Sequence, residues 1–329
     1  MRRRDLIKGL VGSAAAWPLA ARAQQTDQVR RIGVLWPWAE SDPVARSWAT
    51  AFATRLRELG WVEGTNLRID HRWAAGDMTR LTALAKELVE LQPDVLLGTV
   101  STAAQVLRQY TLAIPIVFVQ ATDPVTSGLV TNLARPEGNT TGFATAEFGI
   151  GGKWLETLKE CAPGLNRAAL LFDPASSPWP LYVRAMEPAA RSLGMQLLPF
   201  PIKSDADIER AFVEFAVKPH GGIITLPTAN TIAHRGRIIA LAAQYRLPAM
   251  YPYSFFVTEG GLVSYGVDVP ELYRKAATYV DQILKGAKLA DLPVQQPTKY
   301  ELVINRKTVA ALGLVIPDKL LSTADELIE

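Results

Sequence analysis

The 329-residue chain has one cysteine, Cys161, and three histidines, His71, His220 and His234. One cysteine excludes an intrachain disulfide, a cysteine metal cluster and a lipid-bearing cysteine near the N-terminus. Cys161 precedes Ala162-Pro163-Gly164 and reads as a small residue near a helix end. None of the histidines has a metal-ligand partner three or four residues away, so each reads as a surface or helix-end residue. No GxxxxGK[ST] phosphate loop and no GxSxG nucleophile elbow occurs. Gly149-Ile150-Gly151-Gly152 does not complete GxGxxG and reads as a flexible hinge or a helix start. No low-complexity tract is present, and after the first two dozen residues no apolar run is long enough to span a bilayer, which takes about 20 residues. No metal, cofactor or catalytic constellation is therefore expected.

The charge is unevenly distributed. The total is +3, but residues 1–23 hold Arg2, Arg3, Arg4, Lys8 and Arg22 against Asp5, a net of +4. Subtracting that +4 from +3 leaves −1 for the rest. A nearly neutral body lacks the clustered basic face of a nucleic-acid binder. The basic start, the mildly apolar stretch 7–20 and Ala21-Arg22-Ala23 have the order of a signal peptide with a small-x-small cleavage site. Arg3-Arg4-Asp5-Leu6-Ile7-Lys8 also resembles the twin-arginine export signal; an ordinary signal with a basic start is the alternative. The expectation is an exported, soluble, periplasmic protein.

The remainder is 49% hydrophobic by whole-chain composition and long enough for about two domains. It alternates strand-like runs with amphipathic stretches. Strands are expected at 31–36, 67–73, 94–98 and 116–119, with helices at 42–60, 81–91 and 101–110. Trp48, Phe52, Leu56 and Leu59 recur at helical spacing behind Asp42-Pro43. Pro124, Pro136, Gly138 and Gly142 mark a break. The alternation then restarts, with strands at 167–172, 195–200, 222–226, 248–251 and 262–265 and helices at 180–193, 205–217 and 232–245. A helix at 270–285, a strand at 300–304 and a short helix at 306–312 follow. The pattern predicts an α/β protein of two doubly wound, Rossmann-like lobes, in which ligands bind outside the C-terminal strand ends.

Those strand ends supply the candidate site. Thr99, Val100, Ser101 and Thr102 stand where a helix begins, and free N–H groups with a hydroxyl suit a carboxylate. Ser101 or Thr102 serves equally as a plain N-cap. Gln120-Ala121-Thr122-Asp123 follows the next strand; Asp123 suits a ligand ammonium or caps the turn at Pro124. In the second half, Asp173-Pro174-Ala175-Ser176-Ser177-Pro178-Trp179, Pro227-Thr228-Ala229-Asn230 and Tyr251-Pro252-Tyr253-Ser254 follow three strands. Aromatic walls beside single polar anchors fit a small-molecule pocket. Ser176, Thr228, Asn230 and Tyr253 join the candidates, as does Trp36 of Trp36-Pro37-Trp38 at the cleft edge.

Several segments together resemble the ABC-transporter substrate-binding protein family whose better-known members take up aromatic amino acids such as tryptophan. They are Arg31-Ile32-Gly33-Val34-Leu35, Asp123-Pro124-Val125 through Gly128-Leu129-Val130, and Arg135-Pro136 through Gly138-Asn139-Thr140-Thr141-Gly142. Tyr265-Gly266-Val267-Asp268, Gln296-Pro297-Thr298-Lys299, and Leu302-Val303-Ile304-Asn305 through Ala311-Leu312-Gly313-Leu314 complete the set. The resemblance implies a type I periplasmic-binding-protein fold with a ligand closed between lobes, no enzymatic activity, and ABC permease subunits as partners of a monomer. It implies an N-terminal lobe of 29–143 plus 267–297 and a C-terminal lobe of 144–266 plus 298–329. More distantly the chain is similar to branched-chain amino-acid receptors, which implies carboxylate-binding roles for Ser101 and Thr122. Asp268 joins the expected ligand set. A sensory protein without a permease, or an exported enzyme on the same scaffold, are the competing readings.

Overall fold

Strand β1 (Arg30–Trp36) is apolar and buried along most of its length, as a strand covered on both faces must be. It pairs in parallel with β2 (Leu67–Trp73) on one side and β3 (Val95–Thr99) on the other. β4 (Ile116–Thr122) and β5 (Thr140–Ala146) extend the sheet to the order β2-β1-β3-β4-β5, all parallel. The chain reverses its direction of winding between β1 and β3, so the crevice outside their C-terminal ends is a natural ligand position. This computed structural model describes residues 29–175 and 179–329; the export-signal reading falls outside them, as does Ser176.

The first helix, Pro43–Glu58, starts where the sequence places it. Asp42 Oδ1 accepts from the N–H groups of Val44 and Ala45 at 2.9 and 3.0 Å, and proline occupies the first turn, where no N–H is needed. Its buried stripe is Ala45, Trp48, Phe52 and Leu56. β5 departs from the expectation of a break. Its seven residues are all buried, but Thr140, Thr141 and Thr145 hide the strand from an apolar-run search. Thr141 Oγ1 donates to Leu292 O at 2.6 Å, which satisfies one buried hydroxyl. Gly142 does not interrupt the strand: a Cβ there would lie 2.0 Å from Phe118 O, so glycine permits the close approach of β4 and β5.

The second sheet has the order β12-β11-β10-β9-β8-β6-β7. Its strands are β6 (Arg167–Phe172), β7 (Gln196–Pro201), β8 (Gly221–Thr225), β9 (Ala249–Tyr251), β10 (Val263–Gly266), β11 (Glu301–Asn305) and β12 (Glu326–Ile328). β11 runs antiparallel to β10 and β12 runs parallel to β11, so these two strands oppose the other five. The expected helix at 232–245 is two helices, Ala229–Ala233 and Arg235–Gln244. Thr228 and Thr231 form a reciprocal capping box that starts the first one early. Helices Ser254–Thr258 and Asp318–Thr323 and strand β12 span six residues or fewer, too short to show a period.

The chain passes between the sheets after β5, after β10 and before β11. Helix Val269–Leu284 follows β10 of the second sheet but packs on helix Pro43–Glu58 and on β4 and β5 of the first. Gln295 then pairs with the edge of β5, accepting from Ala144 N and donating to Gly142 O at 2.9 Å each.

Candidate functional site

Backbone strain marks the C-terminal ends of β3 and β4. Val100, Gln120 and Asp123 have φ of +59°, +58° and +40°. The left-handed region is costly for residues with a Cβ, most of all for a β-branched one such as Val100, at about 1–3 kcal/mol each. Such strain persists only where the surroundings enforce it, and here it bends both strand ends into one crevice. Ser101 Oγ accepts from Thr122 N at 3.3 Å and ties the two ends together.

Neutral hydroxyls and one amide fill the crevice. Tyr182, from helix Trp179–Ser192, donates to Thr122 Oγ1 at 3.2 Å. Thr122 Oγ1 lies 3.5 Å from Thr145 Oγ1 on β5. Tyr273, from helix Val269–Leu284, donates to Gln120 Oε1 at 3.0 Å. Burial pushes the hydroxyls of Tyr182, Tyr253 and Tyr273 above the ordinary tyrosine value, so all three remain protonated donors. For Tyr253, Thr145 and Gln120 pull partly in the other direction. Gln120 Nε2 is buried and, although its side chain acts on the Tyr253 hydroxyl, makes no well-formed hydrogen bond. An orphan donor at this depth carries a penalty of about 1–3 kcal/mol that an acceptor would remove.

Both sheets contribute walls. Thr145 and Ala146 from β5 face Tyr182, Pro252, Tyr253 and Gly266 across a small cavity. Beyond it the lobes touch directly. Trp38 Nε1 donates to Ala229 O at 3.2 Å. The Trp48 and Phe255 rings meet edge to face at 5.7 Å, and Arg235 Nη1 stands 2.9 Å from Asp42 Oδ2.

The structure brings together Ser101, Thr122 and Tyr253 of the residues singled out in the sequence. Thr102 lies half-buried in the first turn of the helix Val100–Tyr110. Asp123 is half-buried and caps its turn, with Oδ1 accepting from Thr126 N at 3.0 Å. Thr228 is engaged as a helix cap, and Asn230 Nδ2 donates to Ile202 O at 2.8 Å. Asp268 caps helix Val269–Leu284 through Glu271 N at 3.0 Å and pairs with Arg274 at 3.4 Å. Trp36 does not stand at the cleft edge: it is fully buried. Its ring stacks on Trp73 at 4.7 Å and Tyr273 at 5.6 Å, and its Nε1 donates to His71 Nδ1 at 3.0 Å. It lies one layer behind the site, supporting Tyr273.

Sequence reading missed Tyr182, Tyr273 and Thr145, and it passed over Gln120 while naming its neighbours. Tyr182 and Tyr273 sit on helices, where their spacing signals only a buried face. Cys161 is fully buried at the end of helix Ile150–Cys161, and burial first, with Glu160 second, pushes its thiol up to about 12. It is no nucleophile at neutral pH. Among the described residues no three His, Cys, Asp or Glu side chains converge as a metal site, and no helix is long and apolar enough to cross a membrane.

Two α/β lobes, three crossings and a polar crevice between facing strand ends define a cleft receptor for a small molecule. The chain belongs to the ABC transporter substrate binding protein family, whose model matches residues 41–328; this is a family of ligand receptors and not of enzymes. It is similar to a tyrosine-binding protein of Clostridioides difficile, 26% identical over 264 residues, covering 80% of this chain and 75% of the relative. Two solved structures superpose with a TM-score of 0.84 each. One is a conserved domain protein from Vibrio cholerae, 27% identical, covering 91% of this chain and 100% of the other. The second is an ABC domain from Streptococcus pneumoniae in complex with L-Trp, 25% identical, covering 91% and 99%. The fold is that of the type I periplasmic binding proteins.

Proposed function

We propose that the chain is the periplasmic receptor of an ABC importer and that it closes on an amino acid, with aromatic amino acids the first to test. The observation that carries this reading is the unpartnered Gln120 Nε2, buried where both lobes meet. A ligand carboxylate or carbonyl supplies the acceptor it lacks. Ser101 and Thr122 hold the carboxylate, helped by the N–H groups that begin the helix behind Val100, whose N-cap Thr99 makes no side-chain cap bond. Asp123 keeps one oxygen on its turn and offers the other to the ligand ammonium. Tyr182 and Tyr253 close from the second lobe. The relatives named for tyrosine and bound to L-Trp support the ligand class.

The lobes of this reading are 29–143 with 267–297, and 144–266 with 298–329, hinged near Gly142–Ala144, Gly266–Asp268 and Pro297–Lys299. The protein works as a monomer that delivers its ligand to permease subunits after export through the signal in residues 1–23. Calorimetric titration with L-tyrosine, L-tryptophan and L-leucine tests the ligand class. Saturable binding weakened by Asp123→Asn by about 1.5–3 kcal/mol, the range for a hydrogen bond to a charged group, is expected. Binding unaffected by that change makes Asp123 a turn cap only, and no binding of any amino acid removes the class. Arg3→Lys with Arg4→Lys should hold the precursor in the cytoplasm; normal maturation of that variant excludes the twin-arginine route.

A further inference from the structure

A second cavity, of about 410 Å³, opens at the far end of the second lobe. Its wall includes Leu247 and Ala249 at the start of β9 and Leu262 just before β10. Lys307, also in its lining, follows β11, which runs the opposite way. These positions fix the cavity at the pole where parallel strands begin, away from the cleft where they end. Helices Arg235–Gln244 and Arg306–Leu312 form its sides.

Three features set this cavity apart from a surface dent. Its floor is apolar, built from Ile239, Ala242, Leu247, Leu262 and Leu312. Tyr251 reaches the floor while only 1% exposed. Its hydroxyl makes no hydrogen bond to the described residues and is not among the side-chain atoms sealed from solvent without a partner, so a ligand atom can reach it. Its ring is fixed in place: it stacks on Phe256 at 5.0 Å, and an ideal Cβ on Gly261 would stand 2.5 Å from its Cε2. Finally, two cations rim the mouth, Arg246 and Lys307. Neither joins an ion pair among the described residues, although most arginines nearby do, Arg235 and Arg237 among them. Arg246 has φ +50° because it ends helix Arg235–Gln244, its N–H donating to Ala243 O at 3.1 Å and that of Leu247 to Ala242 O at 2.9 Å.

We propose that this cavity is a second binding site, independent of the cleft, for a small amphipathic carboxylate with an oxygen acceptor at its far end. The carboxylate meets Arg246 and Lys307, the apolar body fills the floor, and the acceptor takes the hydrogen of the Tyr251 hydroxyl. The volume falls within the range of small-molecule pockets, about 300–1,000 Å³.

The probe is 4-methoxyphenylacetate, titrated into the full mature protein and followed by amide chemical shifts in an NMR spectrum. Saturable binding with a dissociation constant below about 1 mM is expected, with shifts confined to residues 239–262 and 307–312. Arg246→Asn with Lys307→Gln should weaken it at least about tenfold; asparagine tolerates the left-handed backbone. Tyr251→Phe should weaken it about fivefold, the equivalent of one hydrogen bond near 1 kcal/mol. Ala311→Trp, a change on an exposed helix face, should block it while leaving amino-acid binding in the cleft intact. The neutral 4-methoxyphenylacetamide should bind at least about tenfold less well. Binding only at tens of millimolar, equal binding of acid and amide, indifference to the two-cation variant, or competition by a cleft ligand would each overturn the proposal.

Discussion

Arg235 bridges the two lobes: its Nη1 lies 2.9 Å from Asp42 Oδ2 and its Nε 2.8 Å from Glu259 Oε1, with its side chain 8% exposed. Asp42 caps the first helix of one lobe and Arg235 opens a helix of the other. Their contact therefore exists only while the lobes are together. Removing one partner of a buried pair costs about 3–5 kcal/mol because it strands the other charge. Arg235→Gln should enlarge the solution radius of the ligand-free protein, measured by X-ray scattering. Asp42→Asn keeps the helix cap through its side-chain oxygen and should produce the same expansion. Glu259→Gln breaks only a contact within the second lobe and should leave the radius unchanged. Expansion by the Glu259 change alone would remove the latch role.

Tyr182→Phe isolates a second interlobe contact, the hydrogen bond to Thr122. Phenylalanine keeps the stack on Trp154 at 5.7 Å and the edge contact with Phe148 at 4.9 Å. Only the hydrogen bond to Thr122 is lost, a net of about 1 kcal/mol. Chemical denaturation should show a loss of that size or less, and ligand affinity should fall about fivefold as the closed form weakens. Unchanged affinity would separate Tyr182 from closure.

His71 gives a pH dependence with a defined sign. Burial holds its imidazole below the ordinary histidine value of about 6.5, and Nδ1 must be unprotonated to accept from Trp36. The unfolded chain thus binds the proton more readily than the folded one. Stability is complete above about pH 6.5 and is lost as the pH falls from there toward the depressed folded value. Urea midpoints at pH 8, 6.5 and 5 should decline over the lower interval. His71→Gln, which offers an oxygen to the indole N–H, should flatten that decline.

Gly266 and Gly149 make a matched pair at two crossings. A Cβ on Gly266 would lie 1.8 Å from Pro252 O and 2.9 Å from Pro252 C, backbone atoms that no rotamer change can move. Gly266→Ala should destabilise by more than the 0.5–3 kcal/mol usual for a point change. Gly149 meets nothing within 4 Å and has φ −59°. Gly149→Ala should be neutral or stabilise by up to about 1 kcal/mol through the unfolded chain. Thermal melts of both variants provide the comparison.

The legible parts of the sequence were those whose signal is local. Asp42-Pro43 fixed a helix start because capping is a property of four consecutive residues, and Gly313 ended one because its φ is +69°. Ser101, Thr122 and Tyr253, which the structure brings together at one crevice, were reached by following strand ends. Tyr182 and Tyr273 were not, because a helix face says that a residue is buried but not what its hydroxyl will meet across a cleft. β5 was hidden by threonines whose hydroxyls are satisfied by distant backbone, as at Leu292. Trp36 was misplaced for a related reason: a strand end points two ways, and its partners Trp73 and Tyr273 are 37 and 237 positions along the chain.

Helix Val269–Leu284 covers a face of a sheet whose last strand, β5, ends at Ala146. During synthesis that sheet leaves the ribosome well before its cover exists. Trp48, Phe52 and the inner faces of β4 and β5 must wait, uncovered, while the whole of β6 to β10 is made. Domains completed in sequence order bury their surfaces as they emerge, and those that are not expose them to aggregation. The lobe that begins first is thus finished second, and a nascent chain halted at Gly266 carries an apolar surface that only a holding chaperone or the next eighteen residues can cover.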